Sequence, residues 1–123
     1  MSIIKDTNIL TLKSPASIFV DAVETEKVQL NNFQVLHFLI NSGKGDEVKT
    51  KARLIATNEE GTDKETIYED EITVGNDNCT KLTIDADTIA NKDFDRVFLQ
   101  IDAVGVDIIG SVLVIQENER YSI

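Results

Sequence analysis

The sequence has no tryptophan, one proline, one histidine and one cysteine in 123 residues. Each scarcity excludes something. The single cysteine, Cys79, can neither close a disulfide within the chain nor furnish a thiolate metal cluster. The single histidine, His37, cannot build an imidazole-based metal site, and a Ser-His-Asp triad would need carboxylate partners that the pattern does not place beside it. Without tryptophan, and with only two tyrosines, the chain offers few flat platforms for a sugar ring. One proline and six glycines rule out collagenous or low-complexity character. Positive charge is short as well: 12 Lys and Arg stand against 22 Asp and Glu, a net charge of −10. Such a chain repels phosphate backbones and anionic lipid surfaces, so neither nucleic acid nor membrane is expected as a partner. No apolar run approaches the roughly 20 residues of a membrane span. The opening MSIIKDTNILTLKS lacks the apolar core of a secretion signal, which points to a reducing cytoplasm or a particle assembled there.

What is present is alternation. Apolar residues make up 41% of the chain, enough for one domain, expected over residues 1–123, with a core that needs no staples. Period-2 patterning dominates and helical periodicity is scarce. Ile9 to Lys13 and Ser17 to Ala22 read as short strands separated by Pro15, and Glu26 to Leu30 as another before Asn31-Asn32. Phe33 to Asn41 is apolar on both faces, which predicts a central strand covered on both sides. Val48 to Thr57 and Glu65 to Val74 flank the turn Asn58–Asp63 and predict an antiparallel hairpin. Cys79 to Ile84 is a further strand, and Asp85 to Asp93 is the one segment suited to a helical turn, with Asp85 or Asp87 as N-cap. Arg96 to Ala103 and Ile108 to Gln116 read as a strongly apolar terminal hairpin. The expected fold is all-β: a single-domain antiparallel β-sandwich or jelly-roll-like barrel of about eight short strands. Residues 1–14 form an extended N-terminal arm in this reading, and residues 117–123 a C-terminal tail.

Chemistry is sparse. His37 lies between Leu36 and Phe38, where a packed, hydrogen-bonded histidine is expected. Cys79 has only Asp77 and Lys81 as nearby charges in sequence and reads as structural. Asp85, Asp87, Asp93 and Asp95 flank one loop and offer oxygen ligands for calcium, but the central glycine and final glutamate of an EF-hand are missing. Glu59 to Glu71 holds seven carboxylates and one lysine, a pattern that usually marks a solvated surface. Paired carboxylates for glycoside hydrolysis are available in any chain this acidic, and a carbohydrate- or calcium-binding β module is the alternative class. No catalytic constellation, cofactor or metal site is expected.

Three features point instead to contacts with partners. Lys49, Lys51 and Arg53 share one strand face, an unusual concentration of cations here. They can pair with the acidic return strand or with an acidic neighbour. The segment containing Ile3, Ile4, Ile9, Leu10 and Leu12 is apolar yet short, suited to pairing with a neighbour's sheet edge. Arg120 and Tyr121, types enriched at interfaces, sit on the tail.

The stretches FQVLHFLINSGKGDE (33–47), ARLIATNEEGTDKE (52–65), DRVFLQIDAVG (95–105) and SVLVIQENERYSI (111–123) also carry a resemblance. Their layout is similar to that of small all-β structural proteins of tailed bacteriophages and prophages. It comprises a central aliphatic strand, a hairpin of small alternating residues with an acidic glycine turn, an Arg-Val-x-Leu-x-Ile strand, and a last aliphatic strand ending in Arg-Tyr. Members often continue with proline, where this chain has Ser122-Ile123. The resemblance implies a non-enzymatic virion protein, above all a capsid decoration (cement) protein, located on the capsid exterior and assembled in the bacterial host cytoplasm. Its implied partners are the major capsid protein or another virion protein, and further copies of itself. A tail, neck or baseplate role is the variant of this reading.

Overall fold

The fold is given by a computed structural model, which describes residues 2–30, 34–90 and 92–122, with side chains for 8–117 of these. Among the described residues nine strands and one short helix follow one another: β1 (Ser2–Ala16), β2 (Val23–Glu24), β3 (Val28–Gln29), β4 (Val35–Ser42), β5 (Val48–Thr57), β6 (Lys64–Val74), β7 (Cys79–Asp85), α1 (Ala86–Ala90), β8 (Arg96–Ile101) and β9 (Gly110–Ser122). The expected turn at Asn31-Asn32 and strand start at Phe33 lie outside the described residues.

Two antiparallel sheets face each other. One has the order β1-β9-β4-β7; the other has β2-β8-β5-β6, with β3 also on β8. β2 and β3 act as one interrupted strand. Between them the Thr25 amide still bonds the Leu99 carbonyl (3.0 Å), and the Thr25 hydroxyl accepts from the Leu99 amide (3.0 Å). Counted so, eight strands interleave in the double Greek-key order of a jelly roll. The expectation of an all-β sandwich holds. The terminal hairpin does not: β8 and β9 lie in different sheets, joined by a connection that crosses the edge of the sandwich. In that connection the Val104 and Gly105 amides both bond the Phe19 carbonyl.

Alternation aims one face of each strand inward. Leu36, Phe38 and Ile40 of β4, Val112 and Val114 of β9, and Leu82 and Ile84 of β7 meet Ala52, Leu54 and Ala56 of β5, Val97, Leu99 and Ile101 of β8, and Ile72 and Val74 of β6. Gln116 continues this inner face and is 1% exposed. Its amide is satisfied: Nε2 donates to the Gln29 carbonyl (2.9 Å), and Oε1 accepts from Asn8 Nδ2 (2.9 Å), so one side chain ties β9, β1 and β3.

The N-terminal region differs from expectation. β1 is one strand that runs through Pro15, because it lies at the sheet edge and bulges between Lys13 and Ala16, where a missing amide costs no ladder bond. Ser17 to Ala22 is a turn rather than a strand. The Ile18 amide bonds the Ala16 carbonyl, Ser17 Oγ donates to Asp107, and Phe19 turns wholly inward against Gly110.

Candidate interaction surfaces

Among the described residues, β1 and β9 continue as a two-stranded ribbon beyond the body of the sandwich. β4 leaves β9 at Val35↔Glu117, while β1 stays paired with it through five further positions, Asp6↔Asn118 to Ser2↔Ser122. The expected arm and tail are therefore partners of each other: Ile3 pairs with Tyr121 and Ile4 with Arg120 in the backbone register. The side chains of Ile3, Ile4, Arg120 and Tyr121 lie outside the described residues. The segment expected to pair with a neighbour's sheet thus pairs with its own chain, and the opposite edge of β1 is the sheet's end. Leu12 packs against the core, whereas Ile9 and Leu10 are exposed.

The outer face of the four-stranded sheet is the second feature. β4 is central, as expected, but among the described residues no layer covers its outer side. Registers place Ile9, Ile115, His37 and Thr83 in one row across the four strands. Thr11, Leu113, Leu39 and Lys81 form the next row on one side, and Glu117, Val35 and Asp85 lie in the row on the other. Ile9, Ile115, Leu113, Leu39 and Val35 make an aliphatic centre, with Ile9 61% exposed. His37 sits among them, its Nδ1 2.8 Å from Thr83 Oγ1 and its Nε2 3.4 Å from a Glu117 carboxylate oxygen. It is hydrogen-bonded as expected, but half-buried on this outer face rather than in the core. Aliphatic residues on both faces of β4 read in sequence as double coverage; an apolar patch awaiting a partner leaves the same trace. Where β1, β4 and β9 converge, a shallow depression of about 210 Å³ is lined by Pro15, Asn41, Gly43, Ile109 and Ser111.

The outer face of the five-stranded sheet is charged. The basic stripe is matched inside the chain: Lys49 lies 3.7 Å from Glu71, Lys51 3.5 Å from Glu69, and Arg53 2.8 Å from Glu69 and 2.7 Å from Asp102. The hydrogen bonds from Arg53 hold the Asp102 carboxyl below its ordinary range, and Asp102 with Glu69 raises Arg53 in turn. Hydrogen bonds from Asn76 and Asn78 lower the Glu47 carboxyl, and on β6 Asp70 beside the Tyr68 hydroxyl raises the phenol. Cys79 is exposed. Among the described residues no cluster of three His, Cys, Asp or Glu side chains could hold a metal ion, and no helix is long and apolar enough to cross a membrane. The aspartates flanking α1 gather no such cluster.

No protein-family model matches the chain. No curated protein matches it either. Solved structures do. The SPBc2 prophage-derived protein YomS superposes with a TM-score of 0.59 over 94% of this chain and 96% of that one, at 17% identity. A chain in the structure of the Gx strain of infectious bursal disease virus superposes with a TM-score of 0.50 over 92% of this chain and 33% of that one, at 12% identity. At such identities the likeness is one of fold, and the fold it shares is a two-sheet β-sandwich.

Proposed function

We propose that the chain is a non-enzymatic structural protein of a phage-type virion, and specifically a decoration protein that binds the outside of the major capsid shell and stabilises it. The observation that carries this reading is the fold correspondence along nearly the whole chain with a prophage-derived protein. The jelly-roll order supports it by analogy, since that architecture recurs in viral capsid domains. So does the charge: at net −10 the chain suits a capsid exterior better than a DNA-lined interior.

The bare backbone edge of β1, which includes Ile9 and Leu10, is the proposed shell contact, through addition to a strand of the shell protein. The flanking ribbon that carries Ile3, Ile4, Arg120 and Tyr121 extends it. Lys49, Lys51 and Arg53 carry matched rather than free charge, so their contribution is orientation more than net attraction.

Quantitative mass spectrometry of purified particles, comparing copies of this chain with the major shell protein, tests the reading. Hundreds of copies per particle support decoration. A dozen or so place the chain in the neck, tail or baseplate. Absence from every particle refutes a virion role.

A further inference from the structure

Charge is handled differently on the two outer faces. On the five-stranded sheet each cation of the stripe has an acidic partner within the chain. On the four-stranded sheet, Lys81 and Asp85 have no ion-pair partner among the described residues. They stand at the two ends of the aliphatic grid, on the same strand but about 13 Å apart, too far to meet each other. We propose that this face is where two copies of the chain meet, related by a twofold axis along the row Ile9–Ile115–His37–Thr83.

Rotation about that row sets Lys81 of each copy against Asp85 of the other, so the unmatched charges complete two ion pairs. It sets Leu39 against Val35 and Ile115 against its own counterpart. Leu113 meets the aliphatic stem of Glu117, whose carboxylate is drawn aside to His37. An apolar centre with a polar rim of Thr11, Thr83, Lys81 and Asp85 is the usual anatomy of a protein–protein contact.

The same rotation explains the ribbon. The ribbon leaves the body beyond the Val35–Asp85 row, and the twofold carries it over the far side of the other copy, past Leu39 and Lys81. There lies the depression lined by Pro15, Asn41, Ile109 and Ser111. In register terms position 119 of one copy falls over position 111 of the other. From strand spacing and rise, the grid covers roughly 400 Å² and the ribbon, with the depression that receives its counterpart, about 300 Å² more per copy. That approaches the ~800 Å² per partner of a standard interface, which the grid alone would not.

The inference goes beyond the capsid reading and does not depend on it, because its test uses the purified chain alone. Sedimentation over a concentration series reaching the high-micromolar range should show a monomer–dimer equilibrium. Lys81→Glu and Asp85→Lys, each checked for native folding by circular dichroism, should each weaken the dimer about tenfold or more. Their equimolar mixture should restore association, because each variant repels itself and attracts the other. Asp85→Lys also lowers the net negative charge, so general repulsion predicts tighter association where the inference predicts weaker. Glu60→Lys makes the same charge change on a distant loop and should not weaken the dimer. A wild-type monomer at all concentrations, or a mixture no more associated than its components, would overturn the proposal.

Discussion

Arg53 grips Asp102 with both ends of its guanidinium, Nη1 to Oδ1 at 2.7 Å and Nη2 to Oδ2 at 3.3 Å, while its Nε donates to Glu69 at 2.8 Å. One cation thereby joins β5 to the end of β8 on one side and to β6 on the other. The fork geometry of arginine makes this possible, and lysine could not reproduce it.

The pair predicts a specific acid sensitivity. Its hydrogen bonds depress the folded-state pKa of Asp102 below the value of the unfolded chain. A depressed carboxyl contributes stability that is complete above its unfolded pKa, near ~4, and is lost as pH falls through the lower folded value. Thermal melts of Asp102→Asn and wild type should differ most at neutral pH and converge as pH falls through the lowered folded-state value. A constant difference over that range would remove the carboxylate from the account. Glu47, lowered by Asn76 and Asn78, gives a shift of the same sign just before the start of β5.

Two glycines separate conformational strain from collision. Gly75 has φ +93°, and a Cβ built there would stand 2.4 Å from the Asp46 carbonyl oxygen. Gly105 has φ +74° with nothing within 4 Å. Gly105→Ala should cost about 1 kcal/mol from backbone conformation alone. Gly75→Ala should cost ~3 kcal/mol or more, since backbone must move as well. Urea midpoints for the two variants read the difference directly.

Gln116→Leu tests the buried amide that ties three strands. It keeps an aliphatic stem but leaves Asn8 Nδ2 and the Gln29 carbonyl without their partner. The expected cost is about 1–3 kcal/mol. The loss should also be local, with hydrogen exchange rising in β1 well before the β5–β8 ladder. Uniform acceleration across the chain would mean that the amide serves global stability alone.

Replacing Lys49, Lys51 and Arg53 together by alanine tests the stripe in binding. On the proposed decoration role, attachment to capsid shells should weaken and lose part of its salt dependence. Unchanged binding across a salt series would confine the stripe to its internal partners.

The hairpin β5–β6 was legible because both arms alternate cleanly around an acidic glycine turn, and opposite charges on the two arms announce their pairing. The strand positions of β4, β7, β8 and most of β9 followed from the same period. Strand partnership did not, since alternation reports which face is buried and says nothing of which sheet holds the strand. Hence the β8–β9 connection read as a hairpin when it is a crossover. Pro15 read as a break because its position at an edge bulge depends on strand order. Phe19 read as part of a strand because Gly110, which forms the hollow that receives it, stands far along the chain at the start of β9. The open apolar face escaped notice because a face awaiting a partner and a face already covered have the same composition.

The ribbon has a consequence for synthesis. β1 is made well before β9, its ladder partner among the described residues, and Asn8 meets Gln116 across 108 positions of sequence. Until β9 is made, the edge-forming strand lacks that partner, whatever the rest of the sandwich has already assembled. Loss of β9 would remove the ribbon and, with Leu113 and Ile115, two of the five aliphatic residues of the grid. Synthesis of β9 is then the event that completes the proposed association surface, a timing that keeps chains still lacking that strand out of the dimer.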